Sequence, residues 1–156
     1  MANTYVVPVK SMLDAGVKVV FEADNNNHVW GELEYFQTRK GNDGKVWGPQ
    51  ERLDRTTVLK MATRWAAEYV LKPNKLGSIE PGKWADLVVL DQDYMTIPVE
   101  QFHAIQPQLT LFDGKIVFLT PSFSQETNLK PAGAVVSTFE QLTARRKESG
   151  FNPATF

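Results

Sequence analysis

The sequence predicts an α/β fold, and three patterns of residues support this prediction. Residues 8–16 favour a short helix, which leads through Gly16 into an aliphatic segment at 17–24. Residues 55–71 carry an apolar stripe at helical spacing, and residues 108–119 hold two apolar runs on either side of an Asp-Gly turn. A helix that passes through a glycine into an aliphatic strand is half of a β/α unit, so the class is α/β.

Length and composition limit the possible functions. The chain has 156 residues, of which 42% are hydrophobic and 22% charged, as is typical of a globular domain. The formal net charge of −1 gives no field that would favour nucleic acid or an anionic membrane as partner. The absence of cysteine excludes disulfides and a thiolate nucleophile. No apolar run approaches the roughly 18 residues of a membrane span. No leader is visible in these residues, which favours a cytoplasmic location and leaves export open.

Proline, glycine and asparagine residues mark the ends of the first predicted elements. Pro8 suits the first turn of a helix, and Gly16 suits the left-handed position after its end. The β-branched content of 17–24 predicts a strand that stops at the three asparagines that follow. Residues 25–53 show little periodicity and predict a long connection, which in compact domains is usually functional or irregular.

The clearest helix is predicted at 55–71. Asp54 is a suitable N-cap and Pro73 ends the pattern. The stripe expected to face the core consists of Val58, Ala62, Trp65, Ala66 and Tyr69.

The second half of the chain predicts a small β module. Residues 80–83 fit a type II turn, and the aliphatic run 87–90 predicts a strand covered on both faces. Asp113-Gly114 between 108–112 and 115–119 predicts a β-hairpin. Residues 121–156 form a tail, in which 138–147 predict a short helix whose basic end is exposed to solvent.

The sequence contains few of the residue patterns that are typical of catalytic or metal-binding sites. The sequence contains no Gly-x-Ser-x-Gly elbow and no glycine-rich phosphate loop. Its two histidines, His28 and His103, lie far apart, whereas an independent zinc site needs three or four ligands. We expect His103 to be a partly exposed loop residue. His28 follows the predicted strand, so a functional role there stays open.

Asp24 is the candidate site residue, because it ends the predicted strand 17–24. Such an aspartate either caps an Asx-type turn or, at the carboxyl end of a barrel strand, points into an active site. Glu22 lies two residues earlier and therefore faces the same side. The two carboxylates could act as a ligand or acid/base pair, or Glu22 could be bound to a basic neighbour.

Residues 76–91, LGSIEPGKWADLVVLD, resemble the C-terminal signature of the metal-dependent amidohydrolase superfamily. The hairpin at 109–118 is similar to the final strands of that family. Residues 13–24 are similar to the segment that enters its eighth barrel strand. The order of these pieces fits the amidohydrolase 3 branch, which is imidazolonepropionase-like, and the likeness covers about 8–119.

The resemblance implies a (β/α) barrel with a small β-sandwich. Residues 1–75 would be the last βα unit or units of the barrel, 76–120 the closing strands of the sandwich, and 121–156 a tail. The family hydrolyses C–N bonds of amides, cyclic amides or amidines in small molecules, using water activated by a divalent metal, commonly zinc. Asp24 then corresponds to the aspartate that binds the metal and serves as general base, although Glu22-Ala23-Asp24 replaces the usual Gly-Ser-Asp.

The remaining metal ligands of the family have no counterpart in this sequence, which contains no His-x-His. A barrel also needs more than about 200 residues. We therefore expect the chain alone to keep no metal and to be inactive. It would pair with itself, dock on a chain with the other barrel units, or be part of a longer gene product.

Two other interpretations stay open. The first is a non-catalytic α+β module that works by assembly through exposed strand edges. The second is a small ligand-binding domain, for which the aromatic residues of the long connection would line the site, although packing is the simpler role for them. Those residues are Trp30, Tyr35, Phe36 and Trp47.

Overall fold

The computed structural model describes residues 7–23, 29–41 and 43–130 and shows a mixed α/β protein. The chain divides into two compact units. The first contains the residues up to Lys83 together with Gln92–Ile105, and the second contains Trp84–Asp91 and the residues from Gln106 onwards. Helices make up the first unit, and a three-stranded sheet is the centre of the second.

The described residues of the first unit form four α-helices: α1 (Val9–Asp14), α2 (Val29–Thr38), α3 (Arg55–Ala62) and α4 (Arg64–Tyr69). They also form two 3₁₀ helices, Pro49–Glu51 and Val99–Ala104. Its core contains Leu33, Val58, Met61 and Phe102, all almost fully buried. Helix α1 confirms the first predicted element, and Gly16 after it has a φ of +81°.

The strand prediction at 17–24 is wrong for the residues described. Residues 17–23 form no strand; instead Val17 N–H donates to Met12 O at 2.9 Å and Phe21 N–H donates to Met61 O at 3.1 Å. A strand exists only where a neighbouring strand supplies hydrogen-bond partners. The described part of the chain supplies no such neighbour here, because its only sheet lies in the second unit.

The long connection predicted at 25–53 contains helix α2, which sequence reasoning missed. Gly31 and the β-branched Val29 weaken its helical pattern. The helix is stabilised by packing, since Leu33 is buried and the Trp30 ring lies 6.2 Å from that of Tyr94. Tertiary contacts thus outweigh a weak local preference.

The helix predicted at 55–71 is divided into α3 and α4 at Thr63, where φ is −128° and ψ is −84°. The Thr63 hydroxyl donates to Leu59 O at 2.7 Å, a bond typical of bent helices. Asp54 is the predicted N-cap, and it accepts the Thr57 N–H at 2.9 Å. The predicted apolar stripe is only partly correct, because the break changes the helix direction and leaves Tyr69 75% exposed.

The second unit contains the predicted hairpin. Strands β1 (Leu87–Leu90), β2 (Pro107–Phe112) and β3 (Lys115–Leu119) form an antiparallel sheet in the order β1-β2-β3. Asp113 and Gly114 have φ values of 49° and 75°, as a two-residue type I′ turn requires.

Two expectations for the second unit are not met or not tested. Strand β1 is not covered on both faces, since Val88 and Val89 are 47% and 37% exposed. Helix α5 (Pro121–Thr127), which was not predicted, begins the tail; Thr120 caps it by accepting the Phe123 N–H. The helix predicted at 138–147 lies outside the described residues.

Within the described ranges, no helix is long and apolar enough to cross a bilayer.

Candidate functional site

The predicted site residue, Asp24, lies outside the described residues, and so does His28. The structure describes the chain on both sides of them, up to Ala23 and again from Val29. These two described segments, which end at Ala23 and begin at Val29, are called the flanks of the candidate site.

The flank before Asp24 is held against two helices. Phe21 N–H donates to Met61 O of α3 at 3.1 Å. The ring of Phe21 packs edge-on against Phe36 of α2, with 6.3 Å between ring centroids. Since Phe36 belongs to the flank after the candidate site, this ring pair ties the two flanks together. Glu22 is exposed.

The flank after the site, α2, is anchored through aromatic residues. Gln37 Nε2 donates to the Tyr94 hydroxyl at 3.4 Å, and that hydroxyl donates to Arg55 O at 3.1 Å. Burial raises the pKa of Tyr94 to about 12, so its hydroxyl stays protonated as a donor. Together with the Phe21–Phe36 contact, this supports a packing role for the aromatic residues of this region.

Glu34 adds a polar anchor to the same helix. Its Oε2 accepts the His103 backbone N–H at 3.1 Å and lies 2.8 Å from His103 Nδ1. His103 is exposed, as predicted, although it belongs to the 3₁₀ helix 99–104 rather than to a loop. Its observed contact with Glu34 fixes α2 to the 3₁₀ helix 99–104.

A cleft of about 350 Å³ lies in the first unit beside the beginning of segment 17–23. Its apolar wall includes Leu13, Val17 and Trp65. Two of its charged groups, Lys10 and Asp14, bind each other at 2.5 Å. Another, the Asp54 carboxylate, caps α3, and the Thr57 hydroxyl holds the pKa of that carboxyl below its usual value. These groups serve the fold, so the cleft offers no arrangement of nucleophile and base.

Glu51 is a buried carboxylate that sequence reasoning missed. It is 4% exposed and accepts both the backbone N–H of Ser11, at 2.9 Å, and the Ser11 hydroxyl. The hydroxyl hydrogen bond is the main cause that lowers the pKa of Glu51. A glutamate in a non-periodic segment carries no sequence signal of burial, and here it attaches α1 to the 3₁₀ helix 49–51.

The described residues do not by themselves fit a metal ion. Within 7–23, 29–41 and 43–130, no three His, Cys, Asp or Glu side chains come together in a way that could hold one. One carboxylate–imidazole pair, Glu34 with His103, uses the histidine nitrogen in a hydrogen bond. A structural zinc site takes four ligands, and a catalytic site takes three plus water.

Comparison with known proteins gives a consistent result. The model of the Amidohydrolase family matches residues 2–118. N-substituted formamide deformylase of Arthrobacter pascens is 34% identical over 110 residues, which are 69% of this chain and 20% of that protein. 5-Methylthioadenosine/S-adenosylhomocysteine deaminase of Thermodesulfovibrio yellowstonii is 38% identical over 89 residues, which are 55% of this chain and 20% of that protein.

Imidazolonepropionase of Fusobacterium nucleatum is 29% identical over 115 residues, covering 73% of this chain and 26% of that protein. The crystal structure of a triazine hydrolase variant has a similar fold, with a TM-score of 0.56 and 22% identity. That likeness covers 92% of this chain and 32% of the hydrolase chain. The chain thus spans about a fifth to a quarter of the length of the curated relatives it matches.

Proposed function

The chain belongs to the amidohydrolase family, and from this membership we propose that it contributes the Asp24 carboxylate to an enzyme that hydrolyses C–N bonds. The observation that carries the proposal is the family match over residues 2–118, within which Asp24 follows the segment that resembles the eighth barrel strand. The complete site would need polypeptide beyond the described residues.

We infer the architecture on the same basis. Residues 1–75 act as the last βα unit of a barrel, and 76–120 as strands of a β-sandwich. Segment 17–23 would become a strand when neighbouring strands supply its hydrogen-bond partners. The fold likeness to one third of a triazine hydrolase variant supports this assignment.

Asp24 takes a proton from the attacking water as the water oxygen bonds to the substrate carbon, and it returns that proton to the nitrogen that leaves when the C–N bond breaks. The Phe21–Phe36 ring pair and the Glu34–His103 contact hold the described residues on either side of Asp24. A divalent metal such as zinc would lower the pKa of that water when bound, with Asp24 as one ligand. The other ligands would come from residues outside the described ranges.

The substrate class is a small molecule with a C–N bond. Two relatives are named as a deformylase of N-substituted formamides and as a deaminase, and both names describe cleavage at nitrogen. The loops that would select a particular substrate belong to the earlier barrel units in this family.

A chimera tests the role of Asp24. Residues 8–119 replace the matching segment of the Arthrobacter deformylase, and deformylation and bound zinc are measured. We expect an active chimera, and Asp24→Asn should lower kcat by at least about a hundredfold, as loss of a general base does. Glu100→Gln is the control, because it removes an exposed carboxylate that the proposal gives no catalytic role, and it should keep most activity.

Two results would contradict the proposal. An Asp24→Asn chimera with the activity and zinc content of its parent would show that this carboxylate has no catalytic role. Turnover of an N-substituted formamide by the purified 156-residue chain with zinc or manganese would show that the site needs no further residues.

An assembly module is the alternative, and exposed apolar side chains favour it. Leu71 and Ile79 are 87% and 86% exposed in the first unit. Large exposed apolar patches mark interaction surfaces. If size-exclusion chromatography shows a stable oligomer and the Asp24→Asn chimera remains active, assembly is the better explanation.

A further inference from the structure

Helix α4 ends in a conformation that is unfavourable for its own sequence. Lys72 N–H donates to Ala67 O at 2.9 Å and Leu71 N–H donates to Glu68 O at 3.0 Å, which is the hydrogen-bond pattern of a Schellman motif. The left-handed residue of this motif is usually glycine, whereas here it is Leu71, with a φ of 59°. Strained residues of this kind are concentrated at functional positions.

Four large apolar side chains at this end of α4 are exposed. Leu71 and Ile79 are 87% and 86% exposed, and Tyr69 and Val70 are 75% and 51% exposed. We call these four residues the apolar loop patch. Because each of them is more than half exposed, packing within the chain does not explain the strained position of Leu71.

The loop that carries the patch is folded back onto α4. Leu76 N–H donates to Lys72 O at 3.0 Å, which closes a turn after the Schellman motif. Gly77 then contacts the helix so closely that an added Cβ would lie 2.7 Å from Ala67 Cβ. Ile79 follows two residues later, so the patch belongs to one compact loop at the end of this helix.

The same loop has an excess of positive charge. Residues 69–79 include Lys72 and Lys75, both exposed, and no acidic residue. The acidic residues that flank this range, Glu68 and Glu80, each bind a lysine. The net charge of −1 describes the whole chain, whereas a charge acts over a Debye length of about 10 Å at about 0.1 M salt. The local charge therefore decides what the loop attracts.

We propose that the apolar loop patch binds the surface of an anionic lipid bilayer. Leu71 and Ile79 enter the boundary between headgroups and acyl chains, where the amphipathic ring of Tyr69 is also favoured. The two lysines stay at the level of the headgroups and attract anionic lipids. The loop lies on the bilayer and does not span it.

The shape of the patch favours a bilayer over a protein as its occupant. Side chains as exposed as those of Leu71 and Ile79 stand clear of the surface around them. A protein partner needs a matching pocket for each such anchor. A fluid bilayer accepts protruding side chains without a preformed pocket, and its anionic headgroups are complementary to the lysines.

Vesicle binding of the 156-residue chain tests the proposal. The chain is sedimented with vesicles of phosphatidylcholine alone or of equal parts phosphatidylcholine and phosphatidylserine, and the bound fraction is measured. We expect binding to the mixed vesicles to be stronger on the order of tenfold, because each lysine near an anionic surface adds to the attraction. Added salt should weaken this binding, since it screens the lysines.

Leu71→Gly separates a binding role from a structural role, because the two roles predict opposite results. Glycine adopts a positive φ without strain, so the variant should unfold at the same or a higher urea concentration. Binding to the mixed vesicles should nevertheless fall on the order of tenfold, as expected when one buried leucine side chain is lost. Met95→Ser is the matched control, since Met95 is 51% exposed outside the patch and its replacement should leave binding unchanged.

Lys75→Glu tests the contribution of charge. It should weaken binding to the mixed vesicles by at least about fivefold and leave binding to phosphatidylcholine unchanged, because only the mixed vesicles carry net negative charge. Lys40→Glu is the control, because Lys40 is an exposed lysine outside the loop and its replacement should have little effect on either.

Three results would overturn the proposal. The first is equal binding of the natural chain and Leu71→Gly to the mixed vesicles, and the second is equal binding of the natural chain to both kinds of vesicle. The third is a dimer on size-exclusion chromatography that Leu71→Gly converts to a monomer, without vesicle binding by either chain. That result would show that a second copy of the chain, rather than lipid, covers the patch.

Discussion

Replacement of Glu51 by glutamine should weaken the attachment of α1. The carboxylate is 4% exposed and accepts two hydrogen bonds from Ser11. A hydrogen bond to a charged group contributes about 1.5–3 kcal/mol, and a glutamine of the same shape retains one neutral acceptor. Because Ser11 is itself exposed and can bind water, we expect Glu51→Gln to lower the free energy of unfolding by about 1–2 kcal/mol.

The effect of Glu51 should depend on pH in a defined direction. The Ser11 hydroxyl holds the pKa of this carboxyl below its usual 4.5 in the folded chain. Its contribution to stability is therefore complete above about pH 4.5 and is lost as the pH falls through the lower folded pKa. Glu51→Gln should lose stability at about pH 7 and differ less from the natural chain at about pH 3.

Urea unfolding followed by tryptophan fluorescence measures these changes. Glu100→Gln is the control, because Glu100 is exposed and its replacement should change stability by less than about 0.5 kcal/mol. A double-mutant cycle with Ser11→Ala should give a coupling of about 1 kcal/mol or more. Coupling near zero, or an equal loss at both pH values, would refute the reasoning.

Four further substitutions, one of them a control, test the first unit by the same urea assay. Asp54→Ala removes the N-cap of α3 and should cost about 1 kcal/mol; an unchanged midpoint would argue against the cap. Gly77→Ala should cost about 2–4 kcal/mol, because φ is +88° and the new Cβ would lie 2.7 Å from Ala67 Cβ. Gly82→Ala, at φ +87° in open space, should cost only about 1 kcal/mol, so equal losses would exclude the steric part. Met61→Ala should cost about 2–5 kcal/mol, and a loss below 1 would mean that this fully buried site collapses around the smaller side chain.

Sequence reasoning succeeded where a structure depends on a few neighbouring residues. The turn at Asp113-Gly114 needs two positive φ values, and this residue pair tolerates them at little cost. Asp54 caps α3 through a residue only three positions away. Lys83 N–H donates to Glu80 O at 3.2 Å, and Gly82 has the positive φ that the predicted type II turn requires.

The candidate site could be predicted only in part. Asp24 was selected because it ends the predicted strand 17–24, and a family resemblance then gave it a role; the family match supports that family without testing the residue's role. The anchors of its flanks could not be foreseen, because Glu34 with His103 joins positions 69 residues apart and leaves no local pattern. The weakly periodic helix α2 was missed for the same reason.

Local sequence was sufficient to predict the hairpin, the Asp54 cap, the glycine turns and the family to which the chain belongs. Each depends on local conformational preference or on a specific run of residues such as 76–91. The tertiary structure alone decided that 17–23 forms no strand, that the long helix breaks at Thr63, and that Glu51 is buried. These outcomes depend on which distant groups supply hydrogen-bond partners and packing contacts, and only the folded chain brings such groups together.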